Sequence, residues 1–201
     1  MSISLAKNQT IDLKKSDGGT LTKVRMGLGW DERAAAPTKK RFFGRLAAAT
    51  SSGEGIDLDA SVILIGSGRV VETVYFGNLT SKDGSVRHTG DNLTGAGDGD
   101  DESIVVDLSQ VPVNVDHLVF TINSYTGETF NQVANAFARI VDSNNRDQEL
   151  ARYELTGSGS HTAMVMAKVS RSGGGWSFTA IGNPGNGRTA KDLAQLALQV
   201  A

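Results

Sequence analysis

Six carboxylates crowd into one glycine-rich stretch of the chain, residues 83–102, which carries a single arginine. Four of them fall within five positions: Asp98, Asp100, Asp101 and Glu102. Carboxylates packed this closely repel one another unless a cation lies between them. Calcium is bound by roughly six to eight oxygens from carboxylates, amide side chains and backbone carbonyls, and glycines let a loop wrap until its carbonyls point inward. The stretch therefore predicts a calcium site.

A second pair of carboxylates, Asp57 and Asp59, precedes a run of mostly apolar residues. Alternate residues of a strand point to the same face, so these two side chains are expected to lie together. Oxygen ligands in a chain without cysteine favour calcium over zinc, copper or iron. Magnesium, which demands a stricter octahedron, is the alternative metal. An acidic loop that is simply solvated is the alternative without a metal. The order of residues fits neither an EF-hand nor a tandem calcium-binding repeat.

Short strands must position these acidic segments. Segments rich in Val, Ile, Thr and Phe recur along the chain and are separated by Gly, Asn and Asp clusters, which is typical of an antiparallel sandwich or barrel. The predicted strands are Thr22–Leu28, Ala60–Ile65, Val70–Phe76, Ser103–Leu108, Leu118–Asn123, Leu150–Leu155, Ala163–Ser170 and Trp176–Ile181. A glycine-rich segment, Arg171–Gly175, predicts a hairpin turn between the last two of them.

Two helices are also indicated. Thr129 and Gln132 have the spacing of a capping box, although Phe137–Val141 downstream is compatible with either a helix or a strand. The other predicted helix is Arg188–Ala201, whose narrow apolar stripe is expected to pack on the sheet.

Composition restricts the class of partner and the compartment. The formal net charge is −2, so the molecule has no overall field that would attract nucleic acid. The first residues do not have the pattern of a secretory signal, and no apolar run reaches the roughly 20 residues of a transmembrane segment. We therefore expect a cytoplasmic protein that consists of a single domain, residues 1–201.

Two other segments of the sequence have patterns that resemble binding motifs. Residues 32–55 form a basic insert with Lys39–Arg41 beside two phenylalanines, which indicates either a solvated surface loop or a contact with acidic partners. Gly182–Thr189 resembles a phosphate-binding loop with arginine in place of lysine, but that loop needs a βαβ unit, and only about a dozen residues follow. We expect this segment to be a turn into the terminal helix.

Beyond these patterns, the chain resembles the TerD-type tellurium-resistance and stress-protein family. The resemblance is carried by His88–Glu102 and extends over nearly the whole chain apart from 32–55. The further matching segments are Gly27–Asp31, Asp57–Ser61, Asp83–Val86, Val106–Pro112, Phe130, Arg139, Glu149–Tyr153, Thr162–Met164 and Trp176–Gly182.

The resemblance implies an all-β antiparallel β-sandwich with minor helices, and it favours a strand at Phe137–Val141. It also implies calcium sites made by the acidic loops, whose carboxylate density suggests two ions. The predicted ligands are Asp57, Asp59, Asp91, Asn92, Asp98, Asp100, Asp101 and Glu102, with Asp31 and Asp83 in second rank and carbonyls from Gly95 and Gly97. His88 is expected either to orient a carboxylate or to lie on the surface.

The function implied by the resemblance is resistance to tellurite and other stresses in the bacterial cytoplasm. We expect a calcium-dependent interaction or signalling module rather than an enzyme, with other stress-system proteins as partners, including membrane-associated ones. The alternative is a divalent-metal-dependent phosphoester hydrolase that uses the same carboxylates. Because the chain lacks cysteine, direct redox chemistry on tellurite is not expected.

Overall fold

The computed structural model describes residues 2–15, 17–32, 57–90, 99–155 and 159–201. These residues form twelve strands and one helix. The strands are β1 (Ile3–Ser4), β2 (Thr10–Asp12), β3 (Lys23–Glu32), β4 (Leu58–Gly66), β5 (Arg69–Val74), β6 (Val86–His88), β7 (Glu102–Asp107), β8 (His117–Ser124), β9 (Val133–Asp142), β10 (Gln148–Glu154), β11 (Ala163–Ser172) and β12 (Gly175–Gly185). The helix is α1 (Ala194–Val200).

The strands make two six-stranded sheets that face each other. Sheet A has the order β1-β10-β9-β3-β7-β6, and sheet B has the order β2-β12-β11-β8-β4-β5. Strand β1 pairs with β10 in parallel, and every other pair of neighbouring strands in the described residues is antiparallel. The prediction of an all-β antiparallel sandwich is confirmed.

Side-chain alternation assigns the two faces of each sheet. In β3, Met26 and Leu28 are fully buried between the sheets, whereas Arg25 is on the outer face of sheet A. In β8, Phe120 and Ile122 point into the same core, and Val119 points to the outer face of sheet B. The outer face of sheet A is therefore charged, while sheet B is apolar on both faces.

Helix α1 covers the outer face of sheet B. Leu193 and Ala197 are buried there against Ile63, Val119 and Val165, and they form a second hydrophobic core. The terminal helix is shorter than predicted because the Asp192 side chain accepts hydrogen bonds from the backbone N–H groups of residues 188 and 189 and fixes a turn before it. Its apolar stripe packs on the sheet, as expected.

All eight predicted strands are present, with ends that differ by at most four residues. The hairpin after β11 is also confirmed, since Gly173 and Gly174 adopt φ of 53° and 81° in the tight turn. Strands β1, β2 and β6 were not predicted, because each has only two or three residues.

The capping box at Thr129 does not begin a helix, so that prediction is wrong. The Thr129 N–H does donate to the Gln132 side chain at 3.1 Å, but the Gln132 N–H donates to the Thr129 carbonyl and closes one turn. Strand β9 begins at the next residue, because it pairs with both β3 and β10. The strand at Phe137–Val141 that the family resemblance favoured is confirmed.

The predicted basic insert, residues 32–55, lies outside the described residues apart from the backbone of Glu32 at the end of β3. In the part of the chain that is described, no helix has the length and apolar character needed to cross a membrane.

Candidate functional site

The acidic segment Gly99–Glu102 lies along the end of β3 and leads into β7. The Asp101 N–H donates to the Leu28 carbonyl at 2.7 Å, and Leu28 is opposite Glu102 in the ladder. Two glycines of β3 make this approach possible. A Cβ at Gly27 would collide with the Asp100 carboxylate, and one at Gly29 would lie 2.6 Å from the Gly99 carbonyl oxygen. The Gly-Leu-Gly sequence therefore provides space for the acidic segment.

Asp100 lies between two arginines on the outer face of sheet A. Its Oδ2 pairs with Arg25 Nη1, and its Oδ1 accepts from Arg139 Nε at 2.6 Å. The hydrogen bond that Arg139 donates to Asp100 is the main reason that the pKa of Arg139 is raised above its usual value. Both oxygens of this carboxylate thus face a guanidinium, and its charge is compensated by protein groups.

Asp101 and Asp31 line one open cavity of about 320 Å³, and the rest of its lining is Trp30, Gly99, Asn135, Phe137, Arg152 and Glu154. Asp101 Oδ2 accepts the Trp30 backbone N–H at 2.8 Å, and Asp31 Oδ2 accepts from Asn135 Nδ2 at 2.8 Å. Burial raises the pKa of Asp101, and repulsion from Asp31 and Asp100 raises it further, although the Trp30 hydrogen bond opposes both effects. This cavity thus brings Asp31 and Asp101 together in a partly desolvated place, where the guanidinium of Arg152 pairs with Glu154 at 3.7 Å.

Glu102 points in the opposite direction, into the space between the sheets. Its side chain is completely buried, and its Oε2 accepts the Ala60 backbone N–H of β4 at 2.6 Å. His88 Nε2 lies 3.4 Å from the same oxygen, and His88 Nδ1 accepts from the Gly90 N–H. Because Nδ1 is an acceptor, a neutral His88 ring carries its proton on Nε2. The expected surface position of His88 is wrong, because the ring is buried; it lies beside the Glu102 carboxylate, but its Nε2 makes no hydrogen bond there.

Asp57 and Asp59 lie at the start of β4 in sheet B. Asp59 is buried, and its Oδ2 accepts from Asn123 Nδ2 of the neighbouring β8 at 3.1 Å. The same Asn123 nitrogen lies 2.8 Å from the Arg188 carbonyl, so Asp59 is connected to the turn before α1. Asp57 directly precedes the strand and is half-buried.

Asp83 is not near these carboxylates. It belongs to the turn before β6, at the end of β7 opposite to Glu102, because Ser85 bonds to Asp107 there. Burial tends to raise the pKa of Asp83, but hydrogen bonds from Ser85 and Ser81 outweigh it and hold the pKa below its usual value. The contacts of Asp83 are those of a turn-forming aspartate.

The other predicted ligands lie outside the described residues: Asp91, Asn92, Gly95, Gly97 and Asp98. Among the residues that are described, no three acidic or histidine side chains are close enough to hold one metal ion by themselves. The structure thus brings together Asp31 and Asp101, and separately places Glu102 between the sheets beside β4.

The sequence did not indicate that Arg25 pairs with Asp100 or that Asn135 donates to Asp31. Arg25 alternates with buried residues in β3, which marks it as outward-facing but does not identify Asp100 as its partner. Asn135 adopts φ of 50° within β9, which is unusual for a strand and has no clear sequence signal.

The glycine-rich segment 182–189 does not form a phosphate-binding loop. The N–H groups of Arg188 and Thr189 both donate to the Asp192 carboxylate, at 3.0 and 3.1 Å. Strand β12 is followed by α1 and by no later strand in the described residues. The expected turn is confirmed only after Gly185, because Gly182–Gly185 belong to β12.

Comparison with known proteins agrees with this fold and these motifs. The TerD domain model matches residues 1–199. The chain is 47% identical to tellurium resistance protein TerZ of Serratia marcescens over 95% of this chain and 94% of that protein. It is 42% identical to stress response protein SCP2 of Bacillus subtilis strain 168 over 96% of this chain and 98% of that protein.

Solved structures show the same fold at lower identity. A homologue of the telluride resistance protein TerD from Streptomyces coelicolor, SCO6318, superimposes with a TM-score of 0.66 at 19% identity and covers 88% of this chain and 98% of its own. The protein SAV2460 gives a TM-score of 0.68 at 20% identity, over 89% and 98% of the two chains. Since the family model spans almost the whole sequence, the chain belongs to the TerD family of tellurium-resistance and stress-response proteins.

Proposed function

We propose that this member of the tellurium-resistance and stress-response family is a non-catalytic calcium-binding module. The observation that carries the proposal is the pair Asp31 and Asp101, which share one cavity. Their mutual repulsion contributes to the raised pKa of Asp101. A bound cation would remove that repulsion and would favour the ionised form of both carboxylates.

The chemistry of the cavity fits a hard cation. Asp31 and Asp101 supply carboxylate oxygens, Gly99 and Asn135 belong to the same lining, and the positive charge of Arg152 is paired with Glu154. Calcium accepts such mixed oxygen ligands in flexible geometry and completes its shell with water, whereas the chain has no cysteine for a softer metal. Within this proposal, Asp31 and Asp101 would hold one ion.

A second ion remains a prediction. Asp57, Asp59 and Glu102 are the described candidates for it, and Asp91, Asn92, Gly95, Gly97 and Asp98 are the predicted ligands outside the described residues. Two predicted ligands do not fit a cation site. Asp100 is occupied by two arginines, and Asp83 is in a distant turn.

Calcium binding would act by stabilising the native state and the surface around the acidic segment. At a free calcium concentration of about 100 times Kd, the gain is about 2.7 kcal/mol. We propose that this surface is used in the cytoplasm to contact other proteins of the stress response, including membrane-associated ones. Because the chain has no thiol, the proposal does not assign it any direct reduction of tellurite.

The test is isothermal titration of chelator-treated protein with calcium and then with magnesium. We expect saturable calcium binding that is much tighter than magnesium binding, and a matching rise in melting temperature. Asp31→Asn combined with Asp101→Asn should remove the binding to this cavity. Asp83→Asn is the control, since it deletes a negative charge away from the cavity and should leave the titration unchanged.

Absence of both heat and thermal shift in the wild-type protein would overturn the calcium proposal. Phosphoester hydrolysis that depends on manganese or magnesium, and that is lost in the Asp31/Asp101 variant, would replace it with the hydrolase alternative.

A further inference from the structure

We propose that Asp100 is the anchor of a two-arginine clamp that holds Asp101 in position before any cation binds. The role given to Asp101 rests on the proposed function, whereas the clamp itself can be measured without a cation. The inference separates two adjacent carboxylates that the sequence presents as equivalent: Asp100 positions the segment, and Asp101 faces the cavity.

The clamp uses both oxygens of Asp100. Arg25 pairs with one oxygen and Arg139 with the other, and the Asp100 side chain is only 6% exposed. A divalent cation approaching this carboxylate would meet two guanidinium groups that repel it, and would have to displace at least one of them. Charge-assisted hydrogen bonds of this kind are among the stronger polar contacts of a protein. Asp100 therefore has no role as a ligand.

Each arginine is held in place by a further partner. Arg25 Nη1 lies 3.0 Å from Ser103 Oγ, and Arg25 Nη2 lies 3.0 Å from Asp147 Oδ2. Arg139 Nη1 donates to Glu149 Oε2 at 3.3 Å. These contacts tie the clamp to β7, β9 and β10 and to the turn that joins the last two. The guanidinium groups are thus oriented by sheet A rather than by the acidic segment alone.

Gly27 is the third part of the clamp. It lies in β3 directly beneath Asp100, where any Cβ atom would occupy the place of the carboxyl group. An alanine at this position would expel Asp100 from between the arginines even though both arginines remain. The glycine is therefore a specific requirement of the clamp.

The clamp fixes the residue that follows it. The Asp101 N–H donates to the Leu28 carbonyl, and Asp101 Oδ2 accepts the Trp30 N–H, so both ends of Asp101 are bound to β3. These two hydrogen bonds form only if the preceding residue keeps the segment close to the strand. We infer that the Asp31–Asp101 cavity is already formed in the cation-free protein.

Hydrogen exchange of the full chain in the presence of chelator tests the clamp. We expect slow exchange of the Asp101 amide in the wild-type protein. In Asp100→Asn and in Gly27→Ala, exchange at residue 101 should be faster by at least about tenfold, because local opening becomes easier. The Gly27→Ala/Asp100→Asn double variant should exchange no faster than the faster single variant, because both changes break the same contact. Asp101→Asn is the matched control and should keep slow exchange.

Calcium titration of the same variants distinguishes an anchor from a ligand. Asp100→Asn should keep the wild-type stoichiometry with weaker affinity, whereas Asp101→Asn should lose binding at the cavity. Two results for Asp100→Asn would overturn the clamp. One is amide exchange at residue 101 that is as slow as in the wild-type protein. The other is loss of one bound calcium ion without faster exchange at that amide. Should Asp100→Asn fail to fold, Arg139→Lys gives the same test, since it keeps the charge but loses the Nε contact.

The two proposals fail separately. If wild-type protein binds no calcium, the proposed function is wrong, and the exchange data still decide whether Asp100 anchors the segment.

Discussion

Three consecutive carboxylates, Asp100, Asp101 and Glu102, have three different environments. Asp100 is neutralised by arginines, Asp101 shares a cavity with Asp31, and Glu102 is buried between the sheets against the Ala60 N–H. The local sequence identifies the acidic stretch but does not indicate that its carboxylates have different environments. The difference arises from partners that are remote in the chain, such as Arg139 and Ala60, and those partners become neighbours only when the sheets form.

Glu102 offers a test at the residue scale. Glu102→Ala leaves the buried Ala60 N–H without its acceptor, so we expect the free energy of unfolding in chelator to fall by about 1–3 kcal/mol. Glu102→Gln retains an acceptor oxygen and should lose clearly less. Urea denaturation of the two variants measures both effects, and equal losses would show that the Ala60 hydrogen bond is not the source.

At the scale of elements, β3 is the platform of the site. It pairs with β7 on one side and β9 on the other, and its glycines receive the acidic segment. The outer face beside it carries a network in which Arg139 and Arg152 both reach Glu149. The network connects β9 and β10, so its charges contribute to the stability of the sheet edge that β1 completes.

The pH dependence of this network can be predicted from Glu149. Burial tends to raise its pKa, but hydrogen bonds from Ser2, Arg152 and Arg139 outweigh burial and lower the pKa from 4.5. A carboxylate whose pKa is lower in the folded state stabilises the fold above its unfolded pKa, and this stabilisation is lost as the pH falls through the native pKa.

Glu149→Gln should therefore be less stable than the wild type near neutral pH, by up to about 1 kcal/mol for a partly exposed pair. The difference should shrink as the pH falls below 4.5, the unperturbed value. Urea denaturation near neutral pH and at about pH 3 measures it. A difference that is constant over this range would show that the charge of Glu149 is not responsible.

Sequence patterns predicted the longer elements correctly because alternation and turn residues are local properties. Eight strands, the final hairpin and the packing of the terminal helix were found in this way. The sequence left β9 ambiguous between a helix and a strand, because Thr129 and Gln132 have the spacing of a capping box. In the structure these two residues close a single turn directly before the strand. Strands β1, β2 and β6 exist through pairing with distant strands, which a local pattern does not contain.

The whole molecule is asymmetric about its two sheets. Sheet B is covered on one face by sheet A and on the other by α1, whereas the outer face of sheet A carries the arginine–carboxylate network and the cavity. The second core beneath α1 is small and depends on a few side chains. The Asp31–Asp101 cavity and helix α1 therefore lie on opposite sides of the protein.

Leu193→Ala tests the second core at this scale. Leu193 is 1% exposed, and its truncation should lower the free energy of unfolding by about 2–4 kcal/mol. Leu198→Ala, at a partly buried position of the same helix, should cost less. Chemical denaturation measures the stability of both, and calcium titration should give the same affinity as the wild type. A changed affinity would contradict the independence of the two sides.

Strands β1 and β2 have a consequence for synthesis on the ribosome. Ile3 pairs with Ala151 of sheet A and Thr10 pairs with Thr179 of sheet B, so residues near the start of this sequence join both sheets through partners made much later. Leu5 and Leu13 are buried in the main core and cannot reach it until those partners have left the exit tunnel. Strands β1 and β2 can thus be added to the sheets only after β10 and β12 have been made. A chaperone that shields this segment has to retain it until β12 has been made, and a nascent chain halted before β12 exposes a segment that quality control can recognise.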